Sequence, residues 1–594
     1  MRNILIGGAW PYANGSPHIG HIAALLPGDV LARYHRAAGD NVYFVSGSDC
    51  HGTPVAIRAK QENRTPREIS DFYHEEFAEC FEKLGFSYDV YTKTSSKEHK
   101  DFVKEFHRKL YEGDYVYEKE VPQAYCEGCG SFLADRFVLG KCPKCGQDTR
   151  GDQCDACGAV LEPEAMKEPV CAVCKKPVSF RNSRHLYLAV TRLKEELKAL
   201  VDSHPQWRKN AIAFTNRYID EGLRDRALTR DLEWGIEVPK EGYENKTIYI
   251  WAENVLGYVS ASKTAAEARG DDFYRLWGED AVHYYVHGKD NIPFHTIILP
   301  SLLLAGGENW HLPDRIVSSE YVTLEGRKIS TSQNYAVWVK DLLENYEADS
   351  IRYFFLTNGP EKKDADFSWR EYVNSHNGEL LGAYGNFVNR CLAFIGKYFG
   401  GYVPEGRENE EINGRIESLF VSVGKQIENG AFKDAIDEIF EFVRSANKFF
   451  DAEKPWVTRN TDIAACKNTL YQCVQIIANL AVLLSPFLPF SSEKVCKWLG
   501  IPLPQGSGRQ THFCANSVRG RLPGDKESSR FAGPSLPQIW KKQSVPAGVR
   551  IPEAEILFCR IDKKVIETET EKLNKLLIGI SSLHGVRYES VRGK

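Results

Sequence analysis

Two histidines three positions apart, His18 and His21, close the string Trp10-Pro11-Tyr12-Ala13-Asn14-Gly15-Ser16-Pro17-His18-Ile19-Gly20-His21. An imidazole can donate to a phosphate oxygen or carry a proton, so its setting decides its task. Upstream, Asn3-Ile4-Leu5-Ile6-Gly7-Gly8 is a short apolar run suited to a buried strand. Downstream, Ile19, Ile22, Ala23 and Leu26 recur at helical spacing. The pair therefore sits where a strand gives way to a helix, with Asn14-Gly15 as the turn and Pro17 pre-setting the first helical turn. The free N–H groups and partial positive charge of a helix N-terminus attract phosphate. Gly20, lacking a Cβ, leaves room for a flat purine ring.

A second chemistry lies between residues 126 and 174. Four Cys-x-x-Cys pairs occur there: Cys126/Cys129, Cys142/Cys145, Cys154/Cys157 and Cys171/Cys174. Each pair supplies half of a tetrahedral zinc site, so eight thiolates make two Cys₄ sites. Four tandem pairs exceed what a dithiol redox enzyme needs. Closeness in sequence suggests an inner site of Cys142, Cys145, Cys154 and Cys157, and an outer one of the other four. A closed Cys₄ shell leaves no open coordination position, which favours structural Zn²⁺ over catalytic metal.

Composition bounds the rest. The chain has 594 residues, 42% hydrophobic and 26% charged, with 16 cysteines and a net charge of -4. That length predicts about four domains. No apolar run is long enough to span a membrane, and no secretory signal is visible at the N-terminus. The charge argues against a DNA-coating protein but allows local basic surfaces for RNA. Many cysteines in an unexported chain are expected to be reduced, which points to the cytoplasm.

The elements that must position these groups read as an α/β fold. A second buried strand, Asn41 to Val45, delivers Ser46-Gly47-Ser48-Asp49-Cys50-His51-Gly52 at its carboxyl end. Strand, helix, strand begins a doubly wound parallel sheet, whose ligands bind outside the strands' carboxyl ends, where Asp49 stands. A helix with a kink at Pro27 is expected between the two strands. Residues 66 to 114 read as helical. Thr247 to Trp251 looks strand-like, followed by a helix with Asn254, Gly257 and Tyr258. Val282 to Asp290 reads as a strand and loop, and Tyr321 to Leu324 as a strand before Gly326-Arg327-Lys328-Ile329-Ser330-Thr331-Ser332. From 376 to 500 the pattern is helical, with stripes at Phe432, Ile436, Ile439, Phe440 and Val443 and at Ile476, Ile477, Leu480 and Leu484. Residues 504 to 535 read as a loop. The stretch 501 to 594 carries 16 Lys and Arg against 9 Asp and Glu, a balance of +7, and reads as a solvated basic tail.

The string Pro11-Tyr12-Ala13-Asn14-Gly15-x-x-His18-Ile19-Gly20-His21 resembles a signature of the class I aminoacyl-tRNA synthetases. Its lead-in Ala9-Trp10-Pro11-Tyr12-Ala13-Asn14-Gly15 is similar to the methionyl-tRNA synthetase family in particular. The loop around Lys328, about 310 residues on, resembles the second class signature with Ile329 for Met and Thr331 for the second Lys. The resemblance spans roughly residues 1 to 500, and the family's two-zinc members nest their sites as above. It implies ATP-dependent ligation of methionine to tRNA(Met) through a methionyl-adenylate, with Mg²⁺ accompanying the ATP.

The resemblance also assigns residues. Ala9, Trp10, Tyr12, Asp49, Trp251, Asn254, Tyr258, Phe294 and His295 would bind methionine, Asp49 through the α-ammonium, and a polarizable thioether suits the aromatic edges. Trp10 stands where the family has leucine. ATP would meet His18, Gly20, His21, Gly288, Asp290, Lys328, Ser330 and Thr331. His18, His21, Lys328 and Arg230 would be catalytic. Asn386, Arg390 and Trp456 would read the anticodon by stacking and edge hydrogen bonds.

The expected organisation is a Rossmann-type catalytic domain in two halves, 1–114 and 233–320, interrupted by a zinc-knuckle insert at 115–232. Stem contact (321–375), a helical anticodon-binding bundle (376–500) and the tail (501–594) follow. The chain reads as a monomer without membrane or DNA partners. Another class I synthetase would need a different amino-acid pocket. A nucleotidylyltransferase would not need the bundle, and a zinc-knuckle RNA-binding protein would not need the paired signatures.

Overall fold

The computed structural model describes residues 1–133, 137–151, 154, 157, 161, 163–331, 334–502, 512–513, 538–553 and 555–584. Most of the loop expected over 504–535, and Ser332, lie outside the described residues.

A parallel sheet organises the catalytic half. Its strands run in the order Arg315–Ser319, Ala281–Gly288, Asn3–Gly8, Asn41–Ser48, Val90–Lys93, with two residues, His512–Phe513, at the edge. The central strands are almost entirely buried, as apolar runs covered on both faces must be. From Asn3–Gly8 the chain winds one way to Asn41–Ser48, and later the other way through Ala281–Gly288 to Arg315–Ser319. The switch point therefore lies between Asn3–Gly8 and Ala281–Gly288, where doubly wound sheets bind ligands.

Helix Ile19–Ala37 is continuous with Pro27 inside it, because nearly every residue from Ile22 onward is buried and packing outweighs the lost hydrogen bond. Other local expectations change. Within 66–114 a strand, Val90–Lys93, separates helices Pro66–Lys83 and Lys97–Glu112. The strand expected at Thr247 to Trp251 covers only Thr247–Ile248, since its partner Thr229–Arg230 is two residues long. The chain then turns into the helix Ile250–Glu253, so Trp251 projects from a helical turn.

The insert is an antiparallel ribbon. Val116–Cys126 pairs with Ser179–Leu188 from Val116↔Leu188 to Tyr125↔Ser179, and the cysteine pairs lie beyond its tip. A three-stranded sheet of Val138–Lys141, Asp148–Arg150 and Lys167–Cys171 supports them.

Helices Asn386–Tyr398, Glu410–Glu428, Phe432–Glu453, Pro455–Thr461, Ile463–Leu484 and Pro489–Leu499 form the bundle. Arg352, fully buried on helix Ala348–Thr357, pins it to the sheet domain. Its guanidinium pairs with Asp29 at 2.7 Å and donates to the carbonyls of Leu84, Pro486 and Phe487. Two arginines outweigh burial at Asp29: despite desolvation, Arg33 and Arg352 draw its carboxyl down to about 2.

The stretch after 500 is not the solvated tail expected. Ile539, Trp540, Val545, Ile551, Leu557 and Phe558 are buried, because they complete the cores of the bundle and the first helix. A helix, Lys564–His584, follows. Net charge described the segment's polar residues and missed its sparse apolar ones.

Candidate active site

His18 is the N-cap of helix Ile19–Ala37, which starts two residues later than Pro17 suggested. The Gly20 N–H donates to His18 Nδ1 at 3.1 Å, and the His18 N–H donates to His21 Nδ1 at 3.0 Å. Two imidazoles thus perform the reciprocal capping usually done by a hydroxyl and a carboxylate. Each Nδ1 spends its lone pair on a backbone N–H, so each ring carries its proton on Nε2 and presents it as a donor. Burial holds His18 down at about 4 and, with His18 beside it, His21 well below the usual imidazole range. Both are neutral donors near pH 7. Gly20 has a local reason to lack a side chain: a Cβ there would come within 2.8 Å of the His18 ring.

Backbone pairing ties this loop to the segment after the Lys328 hairpin. Val339 N–H donates to Pro17 O at 2.9 Å, and Ile19 N–H to Val337 O at 3.1 Å. The hairpin pairs Thr323↔Lys328 and Leu324↔Arg327, and Ser330 bridges Tyr335. Arg327, Lys328 and Thr331 are exposed, and neither cation forms an ion pair among the described residues.

Beyond the next strands lie the remaining nucleotide candidates. Gly288 ends strand Ala281–Gly288, and a Cβ there would meet only Ala24, at 3.9 Å. Asp290 is exposed, and the Tyr321 hydroxyl donates to its carboxylate.

The aromatic candidates converge. Trp251 stacks on Phe294 with centroids 3.6 Å apart and planes 5° apart, and Tyr12 meets Trp251 edge-on at 6.1 Å. Tyr258 donates its hydroxyl to His295 Nε2 at 2.7 Å, while His295 Nδ1–H donates to Asn291 O at 2.8 Å. Both His295 nitrogens are thereby engaged, so an N–H···sulfur contact from that ring is not available in this arrangement. The aromatic faces remain.

Trp10 is 7% exposed and belongs to the apolar cluster of Leu5, Tyr43 and Tyr258. Its indole fills space that a Cβ at Gly47 or Gly257 would need, each within 2.6 Å of the ring. Ala9 donates its N–H to Val286 O at 2.9 Å.

Asp49 is 1% exposed and sits at the carboxyl end of its strand, bridged to Tyr12. Burial, then neighbouring Glu253, push its carboxyl well above the usual range, while the His51 N–H and Asn254 partly offset this. Glu253 is also fully buried; one oxygen accepts from His51 Nδ1 at 2.8 Å and the other has no hydrogen-bond partner among the described residues. His51 and Glu253 escaped the sequence reading, although His51 lies inside the Asp49-Cys50-His51 string and Glu253 between Trp251 and Asn254. Asp49, His51, Glu253 and Asn254 thus bring two acids together without a lysine or arginine ion pair among the described residues, while the half-buried Lys100 bears on Glu253 from a distance. Arg230 lies on Tyr249, 3.9 Å from the ring centroid, and donates to Thr229 O.

The cysteines form two groups. The Sγ atoms of Cys126, Cys129, Cys171 and Cys174 lie within 4.8 Å of one another, as do those of Cys142, Cys145, Cys154 and Cys157. Cys126–Cys174 and Cys129–Cys171 are 3.3 and 3.8 Å apart, and Cys142–Cys157 and Cys145–Cys154 are 3.8 and 3.5 Å apart. Tetrahedral zinc with Zn–S of about 2.3 Å needs sulfurs about 3.8 Å apart, so both sets fit it. In the bundle, Asn386 is exposed, Arg390 pairs with Asp451 at 2.6 Å, and Trp456 is 45% exposed, more open than a core tryptophan.

Comparison with known proteins supplies the lineage. Residues 4–392 match the family of class I tRNA synthetases (M), and residues 409–519 an anticodon-binding domain of tRNA ligase. The chain is 51% identical over 574 residues to methionine–tRNA ligase 1 of Alkaliphilus oremlandii (strain OhILAs), covering 96% of this chain and 100% of that one. It is 51% identical over 575 residues to the methionine–tRNA ligase of Bacillus cereus (strain Q1), covering 96% and 99%. Mycobacterium tuberculosis methionyl-tRNA synthetase in complex with methionyl-adenylate shares the fold, with a TM-score of 0.73 at 23% identity, over 94% of this chain and 100% of that one. A family match over most of the sheet domain, near-full-length identity above half and a capped histidine pair at the switch point agree, and the chain belongs to the class I tRNA synthetase (M) family.

Proposed function

We propose that this chain joins L-methionine to tRNA(Met) using ATP, as a cytoplasmic monomer. A methionine carboxylate oxygen attacks the α-phosphorus, the bond to the β-phosphate breaks, and pyrophosphate leaves. A terminal ribose hydroxyl of the tRNA then attacks the acyl carbon and releases AMP. No enzyme nucleophile is needed, so the protein positions its substrates and stabilises charge.

The observation that carries this reading is the acidic floor beside the aromatic wall. Asp49 and Glu253 are buried together and neither pairs with a lysine or arginine among the described residues, only the half-buried Lys100 bearing on Glu253 from a distance, a costly arrangement that an incoming α-ammonium relieves. Directly above the same strand ends, Trp251, Phe294 and Tyr12 offer faces and an edge to an unbranched thioether. Ala9, Trp10, Asn254, Tyr258 and His295 shape that wall.

His18 and His21 donate Nε2–H to the phosphates as charge develops, and Lys328, Ser330, Thr331 and Arg230 close on them. Gly288 and Asp290 hold the adenosine, and Gly20 lets it approach. Mg²⁺ arriving with ATP would neutralise phosphate charge beside these donors. The division into catalytic halves 1–114 and 233–320, insert 115–232, stem-contact region 321–375 and anticodon bundle 376–500 belongs to the same reading. So does anticodon reading by Asn386, Arg390 and Trp456.

The test is amino-acid-dependent exchange of pyrophosphate into ATP. Methionine should support it strongly and homocysteine less well, by about 10–200-fold for one methylene. Preference for leucine, cysteine or valine overturns the assignment. The eight thiolates are proposed to hold two structural Zn²⁺ ions. Metal analysis should give two per chain, and Cys142→Ser should release one and spare the other; a single ion in the wild type refutes this.

A further inference from the structure

The bundle surface has a second aromatic–cation unit beside the proposed anticodon set. Helices Asn386–Tyr398 and Pro455–Thr461 meet through two contacts. At one, the Arg390 guanidinium lies 6.0 Å from the Trp456 ring centroid and 4.6 Å from that of Phe450. At the other, Arg459 lies 4.0 Å from the Tyr398 centroid, and Lys397 Nζ 5.1 Å from the same ring. Both rings are open to solvent, Trp456 at 45% and Tyr398 at 39%.

The two units differ in charge balance. Arg390 is neutralised by Asp451 at 2.6 Å, whereas Arg459 and Lys397 form no ion pair among the described residues. In a chain of net charge -4, two uncompensated cations gathered on one exposed aromatic mark a place for an anion that also stacks. An unpaired nucleotide has both properties: a π-face for the ring and a phosphate for the cations. Eight residues of helix separate Arg390 from Tyr398, about 12 Å at 1.5 Å per residue. On the facing helix Trp456 and Arg459 are three residues apart, about 4.5 Å, so the two units lie within a few nucleotides of one another.

We propose that Tyr398, Arg459 and Lys397 form a second RNA platform, which takes an unpaired base of the anticodon loop flanking the triplet and its phosphate. The proposal rests on the reading of the Trp456 face as the anticodon site. The rival role is internal: Arg459 on Tyr398 would merely fasten helix Pro455–Thr461.

Three variants separate these: Tyr398→Ala, Tyr398→Phe and Trp456→Ala. Each is assayed for tRNA charging and for methionine-dependent pyrophosphate exchange. Loss of one stacked base weakens charging efficiency by about 5–150-fold. Tyr398→Ala should show that loss, Tyr398→Phe should keep wild-type charging, and exchange should be unchanged in both. A hairpin copy of the anticodon arm, with 2-aminopurine at one loop position at a time, supplies the direct readout. Quenching at a flanking position should vanish in Tyr398→Ala and persist in Tyr398→Phe, while the position facing Trp456 stays quenched.

Normal charging by Tyr398→Ala beside impaired Trp456→Ala refutes the platform alone. Normal charging by both refutes the anticodon reading beneath it. Quenching lost at every position in Tyr398→Ala shows that the helix has moved, and establishes the fastening role instead.

Discussion

Two regions offer groups to the proposed triphosphate, and they are built in opposite ways. The histidine pair is neutral, partly buried and locked by backbone N–H groups on both rings. The Arg327–Lys328 turn is charged, exposed and held by a two-rung hairpin. Fixed donors stabilise developing charge without reorganising, which suits bond breaking itself. An exposed lysine contributes more charge but must lose rotamer freedom and water to do so. On the proposed reading, the histidines are the fixed frame and the hairpin is the part that closes on ATP and opens with pyrophosphate.

The largest expected effect separates the histidine's two tasks. His18→Asn keeps an N-cap acceptor but removes the outward Nε2–H donor. Adenylate formation should fall by about 10²–10³-fold, the usual loss for one preorganised donor, with the fold retained. Stability should also lose part of its acid sensitivity. Between pH about 4 and 6.5 the unfolded chain protonates residue 18 while the folded chain does not, so wild-type stability falls as pH falls through that window. Asparagine does not titrate, so thermal melting of His18→Asn should depend less on pH there. A wild-type rate of adenylate formation would mean that His18 is only a cap.

The smaller effect belongs to the hairpin. Lys328→Ala should slow adenylate formation by about 10–150-fold, the range for one hydrogen bond to a charged group, and change ATP binding less. Thr331→Lys should leave the rate within roughly a few-fold, because Thr331 is exposed and a longer side chain meets no packing there. Single-turnover measurements rank the three variants. A Lys328→Ala loss as large as that of His18→Asn would erase the distinction between frame and closing part.

Much of this was legible before the structure, for reasons that can be stated. Buried strands announce themselves as apolar runs, and Cys-x-x-Cys spacing is a ligand geometry written directly in sequence. The His-x-Gly-His string marked the strand–helix junction because its neighbours changed period from continuous to helical. What stayed hidden was partnership at a distance. Nothing local reveals that Gly47 and Gly257 clear a slot for Trp10, or that Glu253 turns toward His51. Thr247 to Trp251 has strand-like residues but a partner only two residues long, so tertiary context shortened it. The sparse apolar residues after 538 were outvoted by the charge around them.

That last segment has a consequence for how the protein is made. Ala37 closes the helix that begins at His18, and its carbonyl accepts N–H groups from Ile539 and Trp540 at 3.0 and 2.9 Å. The Trp540 indole donates to Phe420 O at 2.8 Å, and its ring meets Tyr34 edge-on. The first catalytic helix is thus finished by residues about 500 positions later, a contact of very high sequence separation. During synthesis the ribosome releases the signature histidines early, but the Trp540 seat between Tyr34 and Phe420 stays empty until residue 540 has been made. Any product that stops short of it leaves that apolar seat open beside the helix.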